Sequence, residues 1–234
     1  MRISILAAVL ALAPLAAQAT TFGPNLIVNG NAEAGAGSSN GGLVGVPGWV
    51  TSSNFTAVQY GASGGFPSLA DAGPAARGNN FFAGGDSNAF SSATQSISLA
   101  SLSAGINTGN AQFDLSGWLG GYASQDDHAV LTVTFRDGSN NVLSSASLTT
   151  VTGADRGNHT ALLLRDTQGY IPVGALSADI ALNMTRNAGS YNDGYADNLS
   201  FAVAAPVPEP ETYAMLVSGM LLLGVAARRK QNQG

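Results

Sequence analysis

Ala129-Val-Leu-Thr-Val-Thr-Phe-Arg136 puts Leu131, Val133 and Phe135 on one side of an extended chain, and Thr132, Thr134 and Arg136 on the other. Strict alternation of this kind marks a β-strand with one face buried and one wet. The same period runs through Ser177–Met184, where Ile180, Leu182 and Met184 fall together, and through Leu199, Phe201 and Val203. Phe113, Leu115 and Gly117 repeat it in the middle of the chain. Shorter runs at Leu26–Asn29, Phe55–Tyr60, Thr94–Leu99, Val142–Leu148 and Thr160–Arg165 bring the expected total to about nine strands. Gly, Ser, Asn and Asp punctuate them. Many short strands with such turns predict an all-β fold, an antiparallel β-sandwich of the jelly-roll kind. Arg136-Asp-Gly-Ser-Asn-Asn141 reads as a hairpin connection. Gly61 to Asp86, rich in Gly, Pro and Ala, reads as one long ordered loop, and Leu99 to Ile106 as a short helix. No internal repeat points to a solenoid or propeller.

Outward from the strands, both ends of the 234-residue chain read as processing signals. Residues 1–19 have the order of a signal peptide: basic Arg2, an apolar stretch from Ile3 to Ala17, and Ala17-Gln-Ala19 as the small-x-small site for signal peptidase. Residues 20–205 form the expected sandwich domain. It carries twelve Asp and Glu against five Arg and no Lys, a net charge near −7. That balance excludes nucleic acid, whose phosphates call for cations, and is compatible with divalent metal ions. With no cysteine in the chain, disulfides, thiol catalysis and thiolate metal sites are excluded, so stability must come from core burial or a bound ion.

Residues 206–234 begin with a proline-rich linker, Pro206-Val-Pro-Glu-Pro-Glu211, too rich in proline for helix. A hydrophobic helix is expected over 212–227, roughly 24 Å long and short for a bilayer core of about 30 Å. The basic cluster Arg228, Arg229 and Lys230 would hold its end in the cytoplasm. The order Pro208-Glu209-Pro210, hydrophobic helix, basic cluster resembles the PEP-CTERM sorting signal. That resemblance implies export, processing near the motif by an exosortase-type membrane peptidase, and delivery to the cell envelope, cell surface or extracellular matrix of an exopolysaccharide-producing bacterium. The inner-membrane anchor would be transient or retained.

Asn25-Leu-Ile-Val-Asn-Gly-Asn-Ala-Glu33 with Val46-Pro-Gly-Trp49, and Asp197-Asn-Leu-Ser-Phe201 near the other end, resemble the opening and closing phrases of galactose-binding-like jelly rolls. Many carbohydrate-binding modules belong to that group. The resemblance implies adjacent first and last strands and a structural calcium ion between them, with Glu33 and Asp197 as ligands and Asn31 assisting. The alternative is a carboxylate that caps turn amides with no metal.

Two loops have the composition of a glycan site. One is Ser124-Gln-Asp126-Asp127-His128. The other runs from Arg186 to Tyr195 and includes Tyr191 and Asp193. Aromatic faces suit sugar C–H surfaces, and amides and carboxylates suit hydroxyls. Equally, the second loop reads as a hydrogen-bonded turn with Arg186 paired to Asp127 or Asp193. Trp49 reads as a core residue; Trp118, opposite in phase to Phe113, either faces out or marks a strand buried on both sides. His128 and His159 are isolated and lack metal-ligand spacing. No nucleophile elbow, zincin motif or phosphate loop occurs. A glycan or exopolysaccharide binder is therefore expected rather than an enzyme. A self-associating structural protein is the alternative, and a small hydrolase using Asp126 with Asp193 stands behind both.

Overall fold

The computed structural model describes residues 21–204; the signal peptide, Pro208-Glu209-Pro210, the 212–227 helix, Arg228 and Arg229 lie outside the described residues. Ten strands form two five-stranded antiparallel sheets. The first sheet has the order β1 (Val50–Ser52), β4 (Phe90–Ser98), β9 (Ser177–Thr185), β6 (His128–Arg136), β7 (Val142–Ser147). The second has the order β2 (Thr56–Gln59), β3 (Asn80–Asp86), β10 (Tyr191–Ala204), β5 (Gln112–Gly121), β8 (Ala161–Tyr170). The chain crosses repeatedly between the sheets, so the expected sandwich is the observed one. Leu99–Ile106 is helical as expected: a 3-10 turn at Ala100–Leu102 and one α-helical turn, α1 (Ser103–Ile106). Among the described residues no helix is long and apolar enough to cross a membrane.

The period-2 pattern does what elementary strand geometry requires of it. β6 and β9 each alternate strictly between buried and half-buried, and they pair with Leu131 opposite Leu182 and Val133 opposite Ile180. Facing them across the sandwich are Phe113, Leu115, Leu119, Leu199 and Phe201, all buried. Phe113, Phe135 and Phe201 meet with centroids 5.2 to 6.3 Å apart and join the two sheets. Gly117 falls in phase with Phe113 and Leu115 because a Cβ there would stand 2.8 Å from Leu199 Cδ2. Trp49 is a core residue, edge-on to Phe82, with its indole N–H donating to the Asn29 carbonyl at 3.1 Å.

Two expectations fail locally. Leu26–Asn29 is not a strand, because the Asn25 side chain takes over the pairing. Its amide donates to Leu199 O at 2.9 Å, and its oxygen accepts from Phe201 N and Ile27 N at 3.0 Å. Positive φ at Asn29 and Ala32 then turns the segment away. The backbone contacts Gly23 N to Val203 O and Leu26 N to Phe201 O still lay the opening phrase against the closing strand. The loop expected over 61–86 ends sooner, since Asn80–Asp86 is a central strand between β2 and β10. Its Gly84 and Gly85 hid it. Gly84 is required there, for a Cβ would lie 2.2 Å from the Asn192 side chain at the irregular register of β3 with β10.

Candidate functional site

The outward face of the second sheet is apolar where an exposed face would be polar. Val58 of β2, Phe81 and Ala83 of β3, Tyr195 of β10 and Leu162 of β8 form a second buried cluster with Phe66, flanked by Tyr60, Trp118, Tyr122 and Tyr191. Residues 60–79, the β2–β3 connection, fold back over it. Phe66 inserts edge-on to Tyr191 at 5.1 Å and lies 6.4 Å from Phe81 and 6.3 Å from Tyr195. The connection holds its own shape. Asp71 accepts from Ser68 N at 2.7 Å and Ser68 Oγ at 2.8 Å, and Arg77 donates to the carbonyls of Ser68, Asp71 and Pro74. The Arg77 guanidinium lies 5.2 Å from the Tyr60 ring centroid.

At the edge of this cover an open cleft of about 260 Å³ is lined by Asn40, Gly64, Phe66, Tyr122, Tyr191 and Asp193. Tyr191 donates its hydroxyl to Gly41 O at 3.0 Å, which fixes the ring as a wall. The Tyr195 hydroxyl, buried behind the wall, donates to Asp193. Burial, reinforced by nearby Asp127 and opposed by the Tyr195 hydrogen bond, pushes the Asp193 carboxyl up to about 6. Burial also raises the phenols of Tyr191 and Tyr195, so both remain neutral hydroxyls at any physiological pH. The cleft thus offers three aromatic rings, one side-chain amide and one carboxylate.

Of the residues expected to bind ligand, Tyr191 and Asp193 line the cleft and Tyr195 supports them; Asp126, Asp127 and Arg186 do not line it. The two loops do meet. Asp127 is fully buried and caps the β9–β10 turn, accepting from Asn187 N at 2.6 Å and from Ala188 N and Asp193 N at 2.9 Å. Asp126 accepts from Gly153 N at 2.9 Å. Arg186 pairs with neither Asp127 nor Asp193; it donates to the Ser190 carbonyl at 2.6 Å, because main-chain amides already occupy Asp127. The cation beside these acids is Arg156, only 5% exposed, which donates to the carbonyls of Gly121, Ala123, Gln125 and His159. Trp118 faces the outer side of β5, half-buried against the second cluster. Asn40, Phe66 and Tyr122 escaped the sequence reading. Phe66 alone left a trace there, as a bulky ring in the run Gly64-Gly-Phe-Pro67.

Glu33 and Asp197 come close enough to influence each other electrostatically, as the resemblance to galactose-binding-like domains implies, but their oxygens are committed elsewhere. Glu33 Oε1 accepts from Asn79 N at 2.8 Å and Asn80 N at 2.7 Å. Asp197 is fully buried and accepts from Tyr60 Oη and Asn198 N, both at 2.7 Å. Burial pushes it up to about 7, with Tyr60 and Asn198 opposing and Glu33 adding. Asn31 Oδ1 faces Glu33 N at 3.4 Å. Calcium takes six to eight oxygens. Among the described residues no group of three or more His, Asp or Glu side chains is placed to hold a metal ion. As arranged, Glu33, Asp197 and Asn31 cap amides and bond a phenol, and they do not fit a calcium shell.

Residues 206–230 match the family model of the PEP-CTERM protein-sorting motif. The chain carries a PEP-CTERM sorting motif. The motif marks it as exported and sorted to the cell envelope, with exosortase processing implied. No curated protein matches the sequence. Among solved structures, a Stig cyclase from Fischerella sp. TAU aligns over 80% of this chain and 100% of its own, at 14% identity and a TM-score of 0.51, which shows a shared fold alone. The enzymatically active domain of tailspike protein 4 from bacteriophage CBA120 aligns over 76% of this chain at 16% identity and a TM-score of 0.46, and the chain spans 21% of it. The CBM22-1 xylan-binding domain of Paenibacillus barcinonensis Xyn10C aligns over 73% of this chain and 94% of its own, at 16% identity and a TM-score of 0.39.

Proposed function

We propose that this exported domain is a glycan-binding module of the cell surface or extracellular matrix, and that it meets exopolysaccharide through the cleft beside Tyr191. The observation that carries the reading is the lining itself. The ring of Tyr191, fixed by its hydrogen bond, can stack on sugar C–H faces beside Phe66 and Tyr122, while Asn40 and Asp193 accept or exchange hydroxyl hydrogen bonds. Signal peptidase and an exosortase-type peptidase are the processing partners this reading requires. Binding is favoured over turnover because the cleft lining holds one carboxylate, where glycoside hydrolysis ordinarily uses two. The test is affinity electrophoresis of the full-length protein in gels containing exopolysaccharide. Retardation that Tyr191→Ala abolishes supports the proposal, and unchanged mobility in every glycan gel refutes it.

Self-association is the second reading, and one observation favours it. β7 and β8 are edge strands paired on one side only, and Val142, Leu143, Leu164 and Tyr170 are exposed on them. Sedimentation that depends on protein concentration with no glycan present would support it.

A further inference from the structure

Resting on the glycan reading, we infer that the cleft selects by charge: it accepts neutral glycans and rejects those bearing uronic acids, with Asp193 as the specificity-determining residue. Of the lining residues only Asp193 carries a charge. Asp86, exposed and directly opposite Tyr191 in the β3–β10 register, adds a second negative group at the rim. Among the described residues no cation lines the cleft, and the one whose charge acts on Asp193 is Arg156. Arg156, the cation facing Asp193, is buried with both terminal nitrogens spent on backbone carbonyls. Arg186 is turned to Ser190 O, and Arg77 lies over Tyr60 within the covering loop.

The other groups around Asp193 keep it an acceptor. Tyr195 donates to it, and Asp127 lies behind it with its oxygens taken by the amides of Asn187, Ala188 and Asp193. An ionised Asp193 suits sugar hydroxyls, which donate. A uronate carboxylate can only accept, so in this cleft it would lose its water and face a like charge, with the neutral donors of Asn40 and Tyr122 in place of a cation. That is rejection by an unfavourable juxtaposition rather than by shape. The selection should relax as Asp193 takes up its proton near pH 6, since a protonated carboxyl can donate.

The experiment uses the full-length protein and a panel of neutral oligosaccharides, each matched with the same oligosaccharide oxidised at C6 to the uronate. Binding is measured by calorimetry at pH 8 and pH 5. The inference expects at least one neutral member to bind, with its uronate about tenfold weaker or worse at pH 8. The gap should narrow at pH 5, at high salt and in Asp193→Asn, whose amide can still accept from Tyr195. Uronates that bind as well as their neutral partners overturn the inference and leave the glycan reading standing. A gap that persists unchanged in Asp193→Asn removes that residue from the role. A panel in which nothing binds takes down the glycan reading and the inference together.

Discussion

The outer faces of the two sheets are built on opposite plans. The first sheet shows solvent a lawn of small hydroxyls. Thr94, Ala181, Thr132 and Ser147 lie in one cross-strand row, and Ser96, Asp179, Thr134 and Ser145 in the next. The second sheet shows Val58, Phe81, Tyr195 and Trp118, and a 20-residue connection must cover them, numbered 60–79. The inner faces of both sheets are equally apolar, so the core alone does not call for that difference. It follows that the second sheet has two cores, one shared with its partner and one roofed by its own loop. The roof's edge is where the cleft opens.

Deleting an inner aromatic gives the largest expected effect. Phe135→Ala should lower unfolding free energy by about 4 kcal/mol in urea titrations. Phe81→Ala, on the outer face, should cost about 3 kcal/mol if the roofed cluster is a true core. A loss below about 1 kcal/mol, in the range of ordinary surface changes, would break the comparison.

Next comes acidity. Asp193 and Asp197 both lie on the outer side of β10 and have raised folded-state values, about 6 and about 7, chiefly through burial. The native state therefore binds more protons than the unfolded chain between pH 4 and 7. The stability these groups contribute is present in full below about pH 4 and is lost as pH rises through 7. Asp197→Asn should flatten that decline in melts taken from pH 5 to 8. The first sheet's Asp137 goes the other way. The Asn141 side chain first, with the amides of Asn141 and Ser139, holds its carboxyl below the usual range, so its contribution disappears only in strong acid. Smaller still, EDTA and calcium should leave the melt unmoved, because the oxygens of Glu33 and Asp197 are already hydrogen-bonded. Thr132→Val on the hydroxyl lawn should stay within about 0.5 kcal/mol.

The same contrast explains what was legible in the sequence. β6 and β9 have one wet face and one dry face, so alternation announces them. β10 is buried on both faces for much of its 14 residues, so only its last alternating residues, Leu199, Phe201 and Val203, could be read. β3 is central and glycine-bearing, which made it look like loop. Tyr191, Asp193 and Tyr195 were legible as a site because their residue types sit close together in the chain. Asn40, Phe66 and Tyr122 join them only through tertiary packing, across intervals that no local pattern spans. Arg186 was expected to pair with Asp127 or Asp193, a pairing no local pattern could test, since main-chain amides brought in by the fold occupy Asp127 and the nearby Arg156 spends its donors on carbonyls.

β10 also sets the direction in which the molecule looks. Its 14 residues run on the order of 40 Å, with Tyr191 and Asp193 at one pole and Ala204 at the other. The opening segment lies beside Val203, so both ends of the described residues lie at the Ala204 pole. Held by its C-terminal side to any envelope component, the domain would stand like a periscope, with its viewing slot as far from the attachment point as the sandwich allows.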